Sequence, residues 1–83
     1  MDIAFDFGIT NTDVVVQDKK ELTFYTFSSK KVEMAFILEI LSEINLDIKR
    51  ISKIAVTGGK SSDLQDNINN IPIIKINEVE AVG

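Results

Sequence analysis

Three short runs rich in apolar residues, separated by short breaks, open the chain, and this pattern is typical of β-strands. Residues 2–7 form the first run, Val14 to Gln17 with their flanks form the second, and residues 22–27 form a third that is rich in aromatic and β-branched side chains. Polar segments at 8–11 and 18–21 separate them. The pattern predicts three consecutive strands joined as an antiparallel meander.

The pattern then changes to a helical period. Apolar residues recur three and four positions apart on one face of this segment, at Ile37, Ile40, Leu41 and Ile44. Glutamates occupy the other face. Ser28 and Ser29 are residue types that cap helix N-termini, so we expect them to cap this helix. Its predicted end is near Asn45.

Four further elements follow the helix in the sequence. Residues 51–56 form an apolar run typical of a buried parallel strand, which ends at Thr57-Gly58-Gly59. The next segments are a short helix capped within 61–63 and carrying Leu64 and Ile68, a fifth strand over 71–76 with Pro72 near its start, and the beginning of a helix over 77–83.

The predicted fold class is α/β, with the element order βββαβαβ and the start of a third helix. This order is similar to that of the ribonuclease H-like half-domain, which implies one mixed sheet of five strands in the order 3-2-1-4-5. At 83 residues the chain supports one small domain, residues 1–83. Because it ends within about two turns of a helix start, we expect a fragment of a longer, two-lobed chain.

Composition excludes several function classes. The chain has no cysteine and no histidine, so thiol nucleophiles and histidine-rich zinc sites are not available. The net charge is -4 and the nine basic residues are scattered, which argues against a nucleic-acid partner. Acids at Asp2 and Asp6 are unlike a signal peptide, and no apolar stretch has the length of a membrane span. We expect a cytoplasmic protein with no membrane partner.

The turn after the first strand concentrates small, hydroxyl and carboxylate residues: Asp6, Gly8, Thr10, Asn11, Thr12 and Asp13. Glycine lets backbone amides approach an anion, hydroxyls donate to phosphate oxygens, and aspartate can hold a hydrated magnesium ion. A polar hairpin stabilised by its own Asn and Asp side chains is the simpler alternative. Asp6 favours the phosphate interpretation: burying its carboxylate in an apolar strand without a partner would cost several kcal/mol, so we expect it to face a functional cleft.

Asp6-Phe7-Gly8-Ile9-Thr10-Asn11-Thr12 resembles the first phosphate motif of the actin, sugar-kinase and heat-shock chaperone superfamily, whose pattern is close to Asp-x-Gly-x-Thr-x-Thr. The resemblance implies ATP and Mg²⁺ as cofactors. It implies that Asp6 organises the metal as a catalytic residue, and that the phosphate loop is lined by Gly8, Ile9, Thr10, Asn11 and Thr12.

A second resemblance covers nearly the whole chain. The spacing from Asp6 through Ala55-Val56-Thr57-Gly58-Gly59 to Asn77-Glu78-Val79-Glu80-Ala81 is similar to the opening of type II pantothenate kinases. That family phosphorylates the hydroxyl of pantothenate, a small-molecule substrate, in the first step of coenzyme A synthesis. The resemblance implies that Glu78 is the catalytic base and that the substrate cleft is bordered by Thr57, Gly58 and Gly59.

Two positions depart from the kinase pattern: Ile9 stands where a second glycine is usual, and Asp13 stands where a lysine contacts phosphate. Residues 10–16 resemble instead the start of hydantoinase and oxoprolinase subunits, which use ATP to open a cyclic amide. A further alternative is a non-catalytic interaction module, a half-domain whose uncovered face pairs with a homo-oligomer partner or with a separately encoded lobe. In the first two cases a second lobe of the chain must complete the cleft, so the 83 residues alone should be inactive.

Overall fold

The computed structural model describes residues 1–58 and 61–76, which form a mixed sheet of six strands and one α-helix. The elements are β1 (Asp2–Phe7), β2 (Asn11–Asp18), β3 (Glu21–Ser28), α1 (Met34–Glu43), β4 (Lys53–Thr57), β5 (Asn67–Ile68) and β6 (Ile71–Lys75), with 3-10 turns at Ile48–Arg50 and Ser61–Asp63. The predicted α/β class is therefore confirmed.

The strands lie in the order β3-β2-β1-β4-β6-β5. The first three form an antiparallel meander, whereas β4 is parallel to both β1 and β6. The sheet has six strands rather than the predicted five, because β5 pairs antiparallel with β6 at the outer edge. The predicted third helix, over 77–83, lies outside the described residues.

The short helix predicted after Ser61 is wrong. A single 3-10 turn at Ser61–Asp63 is followed by strand β5, and a tight turn then leads into β6. Asn69 and Asn70 form this turn with φ of 49° and 67°. Asparagine tolerates this left-handed conformation better than most residues, and two such residues in succession end any helix. The local turn chemistry thus favours a hairpin.

The predicted cap of α1 is also wrong. Glu33 occupies the N-cap position without a side-chain hydrogen bond to the helix, and α1 begins at Met34. The predicted end is confirmed, because Asn45, with φ 60°, lies in the left-handed conformation common just after helices. The side chain of Ser29 has another partner, described below.

Only one face of the sheet is covered among the described residues. Alternate strand residues pack with α1 into a single core: Ile3, Phe5, Phe7, Val14, Val16, Ile54 and Val56 from the sheet, and Phe36, Ile37, Ile40 and Leu41 from the helix. The other face carries a row of apolar side chains that crosses five strands, formed by Phe24, Val15, Ala4, Ala55 and Ile74. We call this the open face. No helix of the described segments is long and apolar enough to cross a membrane.

The two faces of α1 should differ sharply in their contribution to stability. Ile37 is fully buried against the sheet, whereas the adjacent Leu38 is 45% exposed. We expect Ile37→Ala to lower the free energy of unfolding by about 2–5 kcal/mol, and Leu38→Ala to lower it by well under half of that. Urea denaturation followed by circular dichroism measures both. Equal effects would contradict the placement of α1 on the sheet.

Candidate functional site

The turn between β1 and β2 has a backbone geometry that demands glycine. The Gly8 N–H lies 3.1 Å from the carbonyl oxygens of both Asp6 and Asn11. A Cβ at Gly8 would lie 2.5 Å from the Asn11 carbonyl oxygen, a distance that real Cβ atoms essentially never show. Gly8 is therefore required by the turn itself, and its amide is already used. The amides of Ile9 and Thr10 donate to no backbone group of the described residues, so they can donate to water or to a ligand.

Ser29, just after β3, holds this turn from the side. Its hydroxyl donates to the Gly8 carbonyl oxygen at 2.7 Å and lies 3.0 Å from the Thr12 hydroxyl, while its backbone N–H donates to the Thr10 carbonyl oxygen at 2.9 Å. Thr12 is fully buried, so Ser29 is also the partner that satisfies its hydroxyl. This role of Ser29 could not be predicted from the sequence, because no local pattern connects a residue after β3 with the turn before β2.

Two aspartates lie side by side at the end of the open face nearest this turn. Asp6 and Asp13 are directly opposite each other on β1 and β2, and both are exposed. Asp13 accepts a hydrogen bond of 2.9 Å from the Thr26 hydroxyl. Within 1–58 and 61–76, no lysine or arginine forms an ion pair with either carboxylate. Like charges directly opposite on antiparallel strands repel, so this arrangement favours a cation.

The end of β4 adds Gly58 to the same place. Parallel pairing sets Thr57 beside Asp6, and Gly58 follows with φ of +86°. A Cβ at Gly58 would lie 2.6 Å from the Phe7 carbonyl oxygen and 3.1 Å from Asp6 Oδ1. Glycine is therefore needed both for the backbone conformation and for the close approach of this turn to the Asp6 carboxylate.

The structure brings together some of the predicted site residues and separates others. Asp6, Thr57 and Gly58 adjoin one another, and the exposed tip of the turn consists of Ile9, Thr10 and Asn11. Thr12 lies on the opposite, helix-covered face, with its hydroxyl bonded to Ser29. Gly59 and Glu78 lie outside the described residues, so the roles expected of them stay predictions.

Asp6 is not buried within its apolar strand, in agreement with the cost expected for burying a carboxylate there. Its carboxylate is exposed, because the alternation of β1 places Ile3, Phe5 and Phe7 in the core and Asp6 on the open face. No cost of burying a charge therefore arises. What distinguishes Asp6 is its position, opposite a second carboxylate and in contact with a glycine turn at the end of a parallel strand.

The residues present fit a magnesium ion that is bound together with phosphate. Mg²⁺ commonly uses only one or two protein carboxylates and completes its shell with water and phosphate oxygens. Asp6 and Asp13 supply two such carboxylates on adjacent strands. No cluster of three or more carboxylate, imidazole or thiolate ligands lies among the described residues, so a metal held by protein groups alone is not indicated there.

No protein-family model matches this chain, and no curated protein matches it. Functional inference therefore depends on the geometry of this end of the sheet and on the motif resemblances of the sequence.

A pocket of about 200 Å³, lined by Phe27, Lys30, Phe36 and Glu39 among others, lies on the helix-covered face and does not adjoin Asp6.

Removal of the Ser29 hydroxyl should loosen the turn. Ser29→Ala deletes both side-chain contacts and leaves the buried Thr12 hydroxyl without its partner, so we expect a loss of about 1–3 kcal/mol in unfolding free energy. Amide exchange at Ile9, Thr10 and Asn11 should also become faster. Ser28→Ala is the matched control, because Ser28 is exposed. Chemical denaturation and hydrogen exchange by NMR measure these effects. Identical behaviour of the two variants would contradict the role of the Ser29 hydroxyl in holding the turn.

Proposed function

We propose that this chain is the first subdomain of an ATP-dependent phosphotransferase with a ribonuclease H-like half-domain, and that it supplies the phosphate turn and metal-binding carboxylates of the full-length enzyme. The observation that carries the proposal is the meeting of three features at one end of the sheet. The Gly8 turn, the Asp6–Asp13 pair and the Gly58 turn all lie where β1 and β4 end. Ligands of α/β sheets collect beyond the carboxyl ends of parallel strands.

The turn offers phosphate a small set of donors. The Ile9 and Thr10 amides and the Thr10 hydroxyl are at an exposed tip, whereas the Gly8 amide and the Thr12 hydroxyl serve the fold. Ile9 is fully exposed, as is expected of a side chain that leaves the backbone of the turn accessible. The Ser29 hydroxyl holds the turn in shape, so the turn would lose little conformational freedom when it binds phosphate.

The Asp6 and Asp13 carboxylates would hold the metal. A magnesium ion there offsets the charge that develops on the transferring phosphoryl group. Asp13, in place of the lysine usual at this position, makes the site more acidic and therefore more dependent on that ion. We infer that Asp6 and Asp13 hold it together, whereas the family pattern uses Asp6 without an acidic neighbour at position 13.

For the acceptor we propose the pantothenate hydroxyl, with Glu78 as the base. Support comes from the similarity of spacing to type II pantothenate kinases and from Gly58, which stands beside Asp6 as a cleft-bordering turn must. A cyclic amide, opened with ATP as in hydantoinases and oxoprolinases, is the alternative acceptor. Half of the cleft must come from a second lobe, so the 83 residues alone should turn over no substrate.

Metal binding can be tested on the chain itself. In the presence of ATP, whose phosphates complete the metal shell, we expect Mn²⁺, used as a paramagnetic substitute for Mg²⁺, to broaden the backbone NMR signals of Asp6, Asp13 and Gly58 before others. Asp6→Asn and Asp13→Asn should each weaken this binding by about tenfold or more. Asp2→Asn is a matched control on the same strand and face, since Asp2 pairs with Lys53 at 3.9 Å at the opposite end. An equal loss in the control would indicate unspecific attraction and overturn the metal assignment.

Turnover tests the acceptor in the full-length parent. We expect ADP formation that depends on pantothenate, with no activity in Asp6→Asn and with a loss of about 100-fold to 10,000-fold in Glu78→Gln, because a general base contributes on that scale. Nucleotide binding should change little in Glu78→Gln. Full activity of Glu78→Gln would refute the base assignment. Activity with a hydantoin or 5-oxoproline in place of pantothenate would establish the alternative acceptor.

A further inference from the structure

Strand β3 is a long, unpaired edge of the sheet. It has eight residues and bonds β2 on one side, and no described strand lies on its other side. The opposite edge, β5, has only two residues. An exposed strand edge is a template for pairing with another chain, and proteins usually block it with proline, lysine, bulges or short length. None of these protects residues 22–27.

The hydrogen bonds to β2 determine which backbone groups of β3 are free. Ser29 N–H donates to the Thr10 carbonyl oxygen, so these residues form a hydrogen-bonded pair. Such pairs alternate along antiparallel strands, which gives the same status to Phe27, Tyr25 and Thr23. The intervening residues therefore direct both N–H and C=O away from the sheet. They are Leu22, Phe24, Thr26 and Ser28.

The side chains along this edge are uncharged where pairing would occur, and two of the outward-facing residues are large and apolar. Phe24 is 70% exposed and Leu22 is 55% exposed, both on the open face. From Leu22 to Phe27 there is no charged residue, so two copies of the segment do not repel each other when they are placed side by side.

We propose that the chain forms a two-fold symmetric dimer in which β3 of one copy pairs antiparallel with β3 of a second copy. The register places Tyr25 of both copies on the two-fold axis, Phe24 opposite Thr26, and Leu22 opposite Ser28. In this register all four outward-facing residues of each strand take part in hydrogen-bonded pairs. A shift by two residues in either direction leaves some of them unpaired, so the register is specified by the edge itself.

Two properties of the fold favour a second copy over an open fibre. Pairing through β3 consumes the long edge of each copy, and the other edge of the described sheet offers only the two-residue β5 and the short end of β6 beside it, so assembly closes at the dimer. Asp6 lies on β1, with β2 between it and β3, so the proposed phosphate and metal site stays accessible. The dimer does not depend on the proposed function.

Cysteine cross-linking tests the register, because the chain contains no cysteine of its own. Tyr25→Cys would place two Cα atoms about 4.5 Å apart across the axis, within disulfide range. Thr23→Cys is the control, because its counterpart would lie opposite Phe27 and roughly 13 Å away. We expect a covalent dimer on oxidation of Tyr25→Cys and little or none from Thr23→Cys. Equal cross-linking of the two variants would overturn the register.

Light scattering after size exclusion tests the dimer itself. We expect a mass of twice 9.3 kDa that falls toward the monomer on dilution. Phe24→Lys should give a folded monomer, as judged by circular dichroism, because the residue is exposed and contributes little to the core. Ile74→Lys, on the open face but far from β3, should stay dimeric. A wild-type monomer at every concentration, or a dimer that survives Phe24→Lys or is lost in Ile74→Lys, would overturn the proposal.

Discussion

The parallel pairing of β1 with β4 is the interaction on which the rest of the structure depends. It joins residues about fifty positions apart, from Asp2 with Lys53 to Asp6 with Thr57. A parallel pair cannot be joined by a tight turn, so the chain must cross the sheet in between, and α1 lies on this crossover. The helix then covers one face with Phe36, Ile37, Ile40 and Leu41. The same register determines that Gly58 reaches the Asp6 carboxylate.

The parts of the fold that follow from local patterns could be predicted from the sequence. The apolar runs of β1 and β2 mark them as strands, and the structure buries every second residue there, as the period of a strand requires. The helix predicted around Leu64 and Ile68 is wrong, because two apolar residues four apart are compatible with a helix and equally with a loop and a strand. Asn69 and Asn70 determine the structure here, since two successive left-handed residues form a hairpin turn.

In the candidate site, too, some features follow from the local sequence and others depend on contacts between distant residues. That Asp6, Gly8 and the residues near them form a polar turn is visible in the sequence, because such residues between two apolar strands have no packing role. The part played by Ser29 is not visible, since its contacts with Gly8 and Thr12 span 21 and 17 residues. The contact of Gly58 with Asp6 also requires the sheet order, because it comes from strand pairing and not from any spacing in the chain.

The two faces of the sheet differ, because α1 covers one of them and leaves the open face uncovered among the described residues. One face is closed by α1 and carries the core, and its residues next to the site, such as Thr12, are used in holding the turn. The open face places Asp6 and Asp13 at one end of a row that is otherwise apolar. Two adjacent carboxylates without a basic partner among the described residues are destabilising by repulsion alone. The proposed magnesium ion would remove this repulsion, which is why the proposal assigns the acidic pair to binding and not to stability.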